Sequence, residues 1–162
     1  MTYNNNHFDL VFTGWGASTC ILLIEMEKKS LLENKNILII EPSDKLENDK
    51  TFCFWAEKDD EIYQDFKSII SNSWTSIQIN DSKSSFIDPV EYFHVDSKDL
   101  YDWSRKIIEK YDIEQVREKV DTIEQYSKIE IKTNDNQYFS EWVFDSRPPN
   151  FKNFTDNQFN IS

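Results

Sequence analysis

Glycine is the residue that this sequence lacks most clearly. Two glycines occur among 162 residues, whereas average usage of about 7% would give roughly eleven. Alanine is also rare while Asn, Lys and Ile are abundant, a pattern typical of an AT-rich coding bias. A glycine that survives such a bias is expected to meet a requirement of the backbone. Gly14 and Gly16 lie two positions apart. Two glycines placed at random in a chain of this length would do so in about 1 case in 80.

Other absences exclude whole classes of protein. Two cysteines, Cys20 and Cys53, do not make a disulfide framework or a zinc site. No apolar run approaches the ~18 residues of a membrane-spanning helix. Residues 1–8 have neither the basic region nor the apolar stretch of a secretory signal, so a cytoplasmic location is expected.

Positive charge is also scarce. Eighteen Lys and Arg stand against thirty Asp and Glu, which gives a net charge of −12. Binding to nucleic acid needs cations that displace counterions, and electrostatic binding to anionic lipid needs the same groups. No nucleic-acid partner is expected. The chain is 38% hydrophobic and 15% aromatic, which is typical of one folded domain rather than of disorder.

The first 41 residues follow the order strand, glycine turn, helix, strand, acid. His7–Thr13 is a short apolar run rich in strand formers, and the apolar spacing from Ala17 to Glu33 predicts a helix. The run Ile37–Ile40 is typical of a strand buried on both faces of a parallel sheet, and Glu41 ends it. We therefore predict an α/β fold of the Rossmann type.

Gly14-x-Gly16 is half of a dinucleotide-binding fingerprint. The first glycine allows a tight turn, and the second lets the backbone approach a pyrophosphate beside the N–H groups that begin the helix. Glu41 would accept hydrogen bonds from a ribose hydroxyl. Thr19 stands where the third glycine of the pattern belongs. The alternative is an ordinary α/β turn that keeps its glycines for chain reversal.

The remainder of the chain continues to mix helices and strands. The predicted elements are a helix over 59–70, strands over 74–79 and 84–87, a helix capped by Ser97 and reaching Lys110, strands over 113–123 and 128–133, a hairpin turn at 134–136 and a last strand over 138–145.

Three segments occur in an order that resembles a known family. They are Phe8–Ser18 around the glycine turn, Asn48–Trp55 with its run Thr-Phe-Cys-Phe-Trp, and Trp142–Arg147 with the sequence Trp-Val-Phe-Asp-Ser-Arg. Together they resemble the lycopene cyclases of carotenoid synthesis, in particular the bacterial β-cyclase type. The stretch Tyr92–Leu100 is similar to the region before that family's mid-domain helix. The resemblance extends over residues 8–149, with Phe52 in place of the usual Trp.

The resemblance implies an FAD/NAD(P)-binding Rossmann-like domain with inserted β-strands over residues 1–149, with 150–162 a tail or the start of a missing substrate region. It implies lycopene or a related carotenoid as substrate, and acid-initiated closure of its ends to β-ionone rings. FAD would serve in its reduced form, with NAD(P)H as reductant. Family members are more than twice as long, so the chain resembles a truncated, N-terminal portion. The missing half would carry the catalytic acids and any peripheral contact with a membrane.

The resemblance also implies roles for individual residues. Gly14, Gly16 and Ala17 would bind the pyrophosphate, and Glu41 the adenosine ribose. Val120 would offer its backbone to adenine, and Asp145 would end the strand that passes beside the cofactor. No catalytic residue and no metal ligand is assigned. Two alternative functions remain, a nucleotide-binding remnant without turnover and a different FAD-dependent oxidoreductase, such as a hydroxylase, on the same fold.

Several aromatic and acidic residues admit two interpretations. Trp15 either stacks on a flavin or is a packed aromatic residue. The segment that contains Phe52, Phe54 and Trp55 either lines a polyene channel or folds over the sheet. The acidic residues that could supply a proton donor, or simply lie at the surface, are Glu109, Glu114, Glu118 and Glu124.

Overall fold

The computed structural model describes residues 6–80 and 83–148. The tail predicted over 150–162 therefore lies outside the described residues, as does part of the turn expected near residue 81. The elements are β1 His7–Thr13, α1 Ala17–Lys28, β2 Ile37–Ile40, β3 Thr51–Ala56, α2 Glu61–Phe66, β4 Ile70–Trp74, β5 Ser76–Ile77, β6 Ser85–Phe86, β7 Glu91–Asp96, α3 Ser97–Lys110, β8 Glu114–Val116, β9 Val120–Gln125, β10 Ile129–Thr133 and β11 Gln137–Asp145.

Six of these strands form a mixed sheet in the order β8-β2-β1-β11-β10-β9. Strand β1 is parallel to both β2 and β11, and β2 is parallel to β8. Strands β9, β10 and β11 form an antiparallel meander. The four parallel strands therefore point the same way and finish at one edge of the sheet, which is where ligands bind in open α/β sheets.

Helices α1 and α3 cover one face of this sheet. The buried residues of α1 include Cys20, Leu23 and Ile24, whose spacing places them on one side of a helix. Leu10 and Phe12 of β1 join them in the larger core cluster. Val11 belongs to a smaller cluster with β9 and β10. The two central parallel strands, β1 and β2, are therefore the most deeply buried, and β2 is wholly apolar, as the sequence predicts. The flanking strands β8 and β11 carry several exposed polar residues.

Strands β3, β7 and β4 form a second, antiparallel sheet in the order β3-β7-β4, which was not predicted. The strands predicted over 74–79 and 84–87 are present in part, as the short antiparallel pair β5 and β6. The inner face of the three-stranded sheet packs Phe52 and Phe54 against the larger core cluster. Its outer face carries a row of rings, with the centroid of Tyr92 4.6 Å from that of Trp55 and 5.8 Å from that of Trp74. Strand β7 was not predicted, although Phe93 and Val95 alternate with more exposed residues in the pattern typical of a strand.

Helix α1 ends five residues earlier than its apolar pattern predicts. Ser30 adopts a φ of +53°, and its N–H bonds to Glu27 while the N–H of Leu31 bonds to Met26. This pair of bonds is the Schellman arrangement that closes a helix. Leu32 is buried beyond the helix end, so its apolar character reflects core packing and not helical periodicity.

The helix predicted from Ser97 is present, but the cap differs. The N-cap residue is Asp96, and Ser97 lies inside the helix, fully buried. The Ser97 hydroxyl donates to Asn48 Oδ1 at 3.0 Å, which ties the helix start to the loop before β3. None of the helices in the described residues is long and apolar enough to cross a bilayer.

Candidate dinucleotide site

The candidate site is a cavity of about 1100 Å³ at the carboxyl edge of the parallel strands. Thr13 at the end of β1 is in register with Ile40 and Asp145, and Ile40 is in register with Val116. The residues that follow these strands therefore come together. The cavity is lined by Gly14, Trp15, Gly16, Ala17, Ile40, Glu41, Pro42, Lys45, Lys50, Phe52, Tyr101, Glu118, Lys119, Val120, Asp121, Asp145, Ser146, Arg147 and Pro148. All six predicted cofactor-binding residues are among them.

The two glycines meet different requirements. Gly14 has a φ of +101°, and a Cβ atom there would lie 2.6 Å from Ser146 Oγ. Gly16 has a φ of −99°, which any residue adopts, and a Cβ atom there would meet nothing within 4 Å. Gly14 is therefore required by the fold, whereas the bare surface of Gly16 is not required by packing. It leaves room in the cavity for a ligand.

The first turn of α1 faces this room with free donors. No side chain caps the helix at Gly16, and its first turn contains no acidic residue. The N–H of Cys20 makes the first bond within the helix, to the Gly16 carbonyl at 3.0 Å, so the preceding amides have no intrahelical partner. These amides and the helix dipole favour an anion.

Thr19 replaces the third glycine of the pattern without separating the helix from the strand. Its side chain is 2% exposed, and its hydroxyl donates to the Gly14 carbonyl oxygen at 2.8 Å. The Ser146 Oγ lies 3.3 Å from Thr19 Oγ1. A hydrogen bond thus substitutes for the close contact that glycine would give at this position.

Glu41 lies at the predicted end of β2, but its carboxylate already has partners. Oε2 accepts the N–H of Trp15 at 2.8 Å and Oε1 accepts the N–H of Ser43 at 3.1 Å. Lys45 Nζ lies 3.7 Å from Oε1. Since each carboxylate oxygen has two lone pairs, Glu41 retains capacity for a further donor.

Val120 and Asp145 are joined through Arg147. The Arg147 guanidinium donates to both carboxylate oxygens of Asp145, at 2.8 and 2.9 Å, and to the Val120 carbonyl at 3.0 Å. Thr13 Oγ1 also donates to Asp145 at 2.7 Å. These bonds, that from Arg147 above all, lower the pKa of Asp145 to about 2. The network fixes the end of β11 against β1 and β9, and it occupies one acceptor position of the Val120 carbonyl. The predicted contact of the Val120 backbone with adenine stays a prediction.

Two further contributions to the site come from Glu118, which the sequence offered only as a possible proton donor, and from three lysines that it did not indicate. Glu118 accepts hydrogen bonds from Asn136, Thr133 and Tyr138 at 2.6, 2.6 and 3.0 Å, so it fastens the loop after β8 to the β10–β11 turn. Lys45, Lys50 and Lys119 line the cavity, and within residues 6–80 and 83–148 the ammonium groups of the last two have no ion-pair partner. Nothing in the local sequence pattern brings these groups together.

Of the two interpretations of the aromatic residues near the site, the structure favours packing for most of them. Trp15 is buried, its Nε1 donates to Ser104 Oγ at 3.0 Å, and Arg105 lies 4.8 Å over its ring, so it is packed against α3. Phe52 packs inward and also touches the cavity, whereas Trp55 points to the outer face of the small sheet.

The two cysteines also differ in how deeply they are buried. Cys20 is fully buried, and burial raises the pKa of its thiol to about 11. Cys53 is half-buried on the outer face of β3. Among the described residues, no group of three His, Cys, Asp or Glu side chains is arranged to hold a metal ion.

The strand order and the shared strand edge define an α/β domain with a Rossmann-like fold. Solved structures with this fold include the halogenase PltM in complex with phloroglucinol and FAD, with a TM-score of 0.55, 13% identity, and coverage of 86% of this chain and 34% of that chain. They also include the Diels-Alderase of pyrroindomycin biosynthesis, with a TM-score of 0.56, 9% identity, and coverage of 85% and 32%.

A third similar structure is the peptidyl tryptophan dihydroxylase QhpG, with a TM-score of 0.53, 9% identity, and coverage of 89% and 34%. This chain thus spans about a third of the length of the solved structures that it matches. No protein-family model and no curated protein matches the sequence.

Proposed function

We propose that this chain binds the ADP part of FAD at the carboxyl edge of its parallel sheet. The observation that carries the proposal is the uncapped start of α1, where the bare Gly16 backbone opens into a cavity of about 1100 Å³. A diphosphate has the charge and the acceptor oxygens that the amides of a helix N-terminus favour. The PltM structure that shares the fold is a complex with FAD.

The residues around the cavity fit the parts of such a ligand. The amides of Gly16 and Ala17 would donate to the diphosphate, and the ammonium group of Lys50, which also lines the cavity, would add positive charge. Glu41 would accept a ribose hydroxyl with its remaining lone pairs. Val120 and Asp145 would lie in the wall of the adenosine region, where Arg147 occupies one acceptor position of the Val120 carbonyl.

The finer proposal is a lycopene cyclase-like activity of a longer protein to which this domain contributes the nucleotide site. FAD, kept reduced by NAD(P)H, would supply the electron-rich isoalloxazine near the reacting polyene end. Support comes from the three ordered motifs, two of which, around Gly14 and Asp145, meet at the cavity. The third motif contributes Phe52 to the same cavity wall. Protonation of the end-group alkene and loss of a proton would close the ring.

A second candidate is an FAD-dependent enzyme of another type, such as a hydroxylase. It is favoured by the likeness of the fold to QhpG and to the halogenase PltM. A nucleotide-binding domain without turnover is the remaining alternative. The three candidates share the same diphosphate site, so binding and turnover require separate measurements.

The binding test replaces Gly16 by Ala and by Val in the full chain. Because a Cβ atom at Gly16 meets no protein atom within 4 Å, both variants should fold as the unmodified chain does. Affinity for FAD and for ADP, measured by calorimetry, should fall slightly for Ala and at least about tenfold for Val, since a branched side chain occupies the space of the diphosphate. Unchanged affinity in Gly16→Val would contradict the proposed site.

The activity test is pigment analysis of lycopene-accumulating cells that express the chain, with and without any downstream continuation of its reading frame. Appearance of β-ring products would support the cyclase. FAD binding without cyclised product, accompanied by oxygen-dependent oxidation of NAD(P)H, would favour the hydroxylase. FAD binding with neither reaction would favour the domain without turnover.

A further inference from the structure

The peptide group between Gly14 and Trp15 is held from both sides. Its carbonyl oxygen accepts the Thr19 hydroxyl at 2.8 Å, and its N–H donates to Glu41 Oε2 at 2.8 Å. In a planar trans peptide the C=O and N–H bonds point in opposite directions. Two partners on opposite sides therefore fix the rotation of this peptide plane about the chain.

Both partners are themselves immobilised. Thr19 is 2% exposed, in the first turn of α1. The Glu41 side chain is 13% exposed, and its other oxygen is held by the Ser43 N–H at 3.1 Å and by Lys45 at 3.7 Å. The bonds to the Gly14–Trp15 peptide thus connect it to two rigid elements, the helix start and the end of β2.

A glycine on each side of Trp15 would otherwise leave this turn free to change conformation, since glycine tolerates φ values closed to other residues. Without the two bonds, ψ of Gly14 and φ of Trp15 would no longer be fixed, and the chain that carries the Gly16 and Ala17 amides could leave its orientation toward the cavity. Trp15 adds a further anchor through its bond to Ser104 at 3.0 Å. This anchor holds the indole ring, however, and not the peptide plane.

We propose that Glu41 and Thr19 are positioning residues that orient the glycine turn for a diphosphate, in addition to any contact of Glu41 with a ribose. The inference rests on the proposed function and deepens it. Glu41 should therefore strengthen the binding of a ligand that contains no ribose. Thr19 should strengthen it through a hydroxyl group that a glycine at this position would lack.

The test measures binding of inorganic pyrophosphate and of ADP to the full chain by calorimetry, with two matched pairs of variants. Glu41→Gln and Glu41→Ala are both uncharged, but only Gln keeps an oxygen that can accept the Trp15 N–H. Thr19→Ser keeps the hydroxyl that Thr19→Val removes. Within each pair, the variant without the hydrogen bond should bind pyrophosphate about tenfold more weakly, the effect of losing about one such bond.

Hydrogen exchange of the Trp15 amide gives a second readout that needs no ligand. It should be at least about tenfold faster in Glu41→Ala than in Glu41→Gln because opening of that bond is no longer opposed. Equal pyrophosphate affinities within both pairs, or equal exchange rates, would overturn the inference while leaving the proposed function intact. If the unmodified chain binds neither pyrophosphate nor ADP, both the proposed function and the inference are overturned.

Discussion

Replacement of Gly14 by Ala should destabilise the domain by an amount that the local geometry sets. A φ of +101° lies in a region that costs a residue with a side chain on the order of 1–3 kcal/mol. The new Cβ atom would stand 2.6 Å from Ser146 Oγ. That hydroxyl would have to leave the Thr13 carbonyl, 3.2 Å away, at a cost of about 1 kcal/mol.

One effect acts in the opposite direction. Ala lowers the conformational entropy of the unfolded chain, which contributes about 0.4–1 kcal/mol in favour of folding. The net expectation is a loss of about 2 kcal/mol in the free energy of unfolding, which is a sizeable part of the 5–15 kcal/mol typical of a domain. Urea denaturation monitored by tryptophan fluorescence would measure it directly.

A double-mutant cycle separates the two costs. Ser146→Ala removes the oxygen nearest to the new methyl group, and the next contact is 3.7 Å away. Gly14→Ala combined with Ser146→Ala should therefore be about 1 kcal/mol more stable than the sum of the two single changes predicts. A Gly14→Ala variant within about 0.5 kcal/mol of the unmodified chain would refute this account of the turn. Gly16→Ala is the matched control, because it introduces neither strain nor a contact.

Two further predictions concern ionisable side chains. The pKa of Asp145 is lowered from 3.8 to about 2, so its ionised form stabilises the fold above pH 4 and that contribution is lost as the pH falls toward 2. Since its side chain is 42% exposed, screening by solvent reduces the effect on the free energy of unfolding to on the order of 1 kcal/mol. Asp145→Asn should therefore flatten the dependence of this free energy on pH between 4 and 2. Parallel pH profiles for the variant and the unmodified chain would contradict this. Burial raises the pKa of Cys20 to about 11, so iodoacetamide at pH 8 should label Cys53 in the folded chain and Cys20 only after denaturation. Peptide mapping would locate the label. Equal labelling rates of the two cysteines in the folded chain would be inconsistent with the burial of Cys20.

The sequence by itself determined two of the strands that build the carboxyl edge of the sheet. β1 and β2 begin and end where their predicted runs do, because strands buried at the centre of a parallel sheet are rich in apolar residues. The glycine turn and Glu41 follow from the same local order, since parallel neighbours joined by a helix must finish at the same edge. The pattern also gave the start of α1, which lies directly after the second glycine. The single strand predicted over 113–123 is instead two strands, β8 and β9.

Only the tertiary structure decided how the residues at that edge are connected. Thr19 looked unfavourable in the sequence, but its hydroxyl bonds the Gly14 carbonyl. Glu41 was expected to accept a hydrogen bond from a ribose, yet its carboxylate accepts the N–H of Trp15, 26 positions away in the chain. Local periodicity reports which face of an element is apolar, and it carries no information on which polar groups from distant segments will meet. Arg147 bonds the Val120 carbonyl across 27 positions, and this contact depends on strand pairing in the same way.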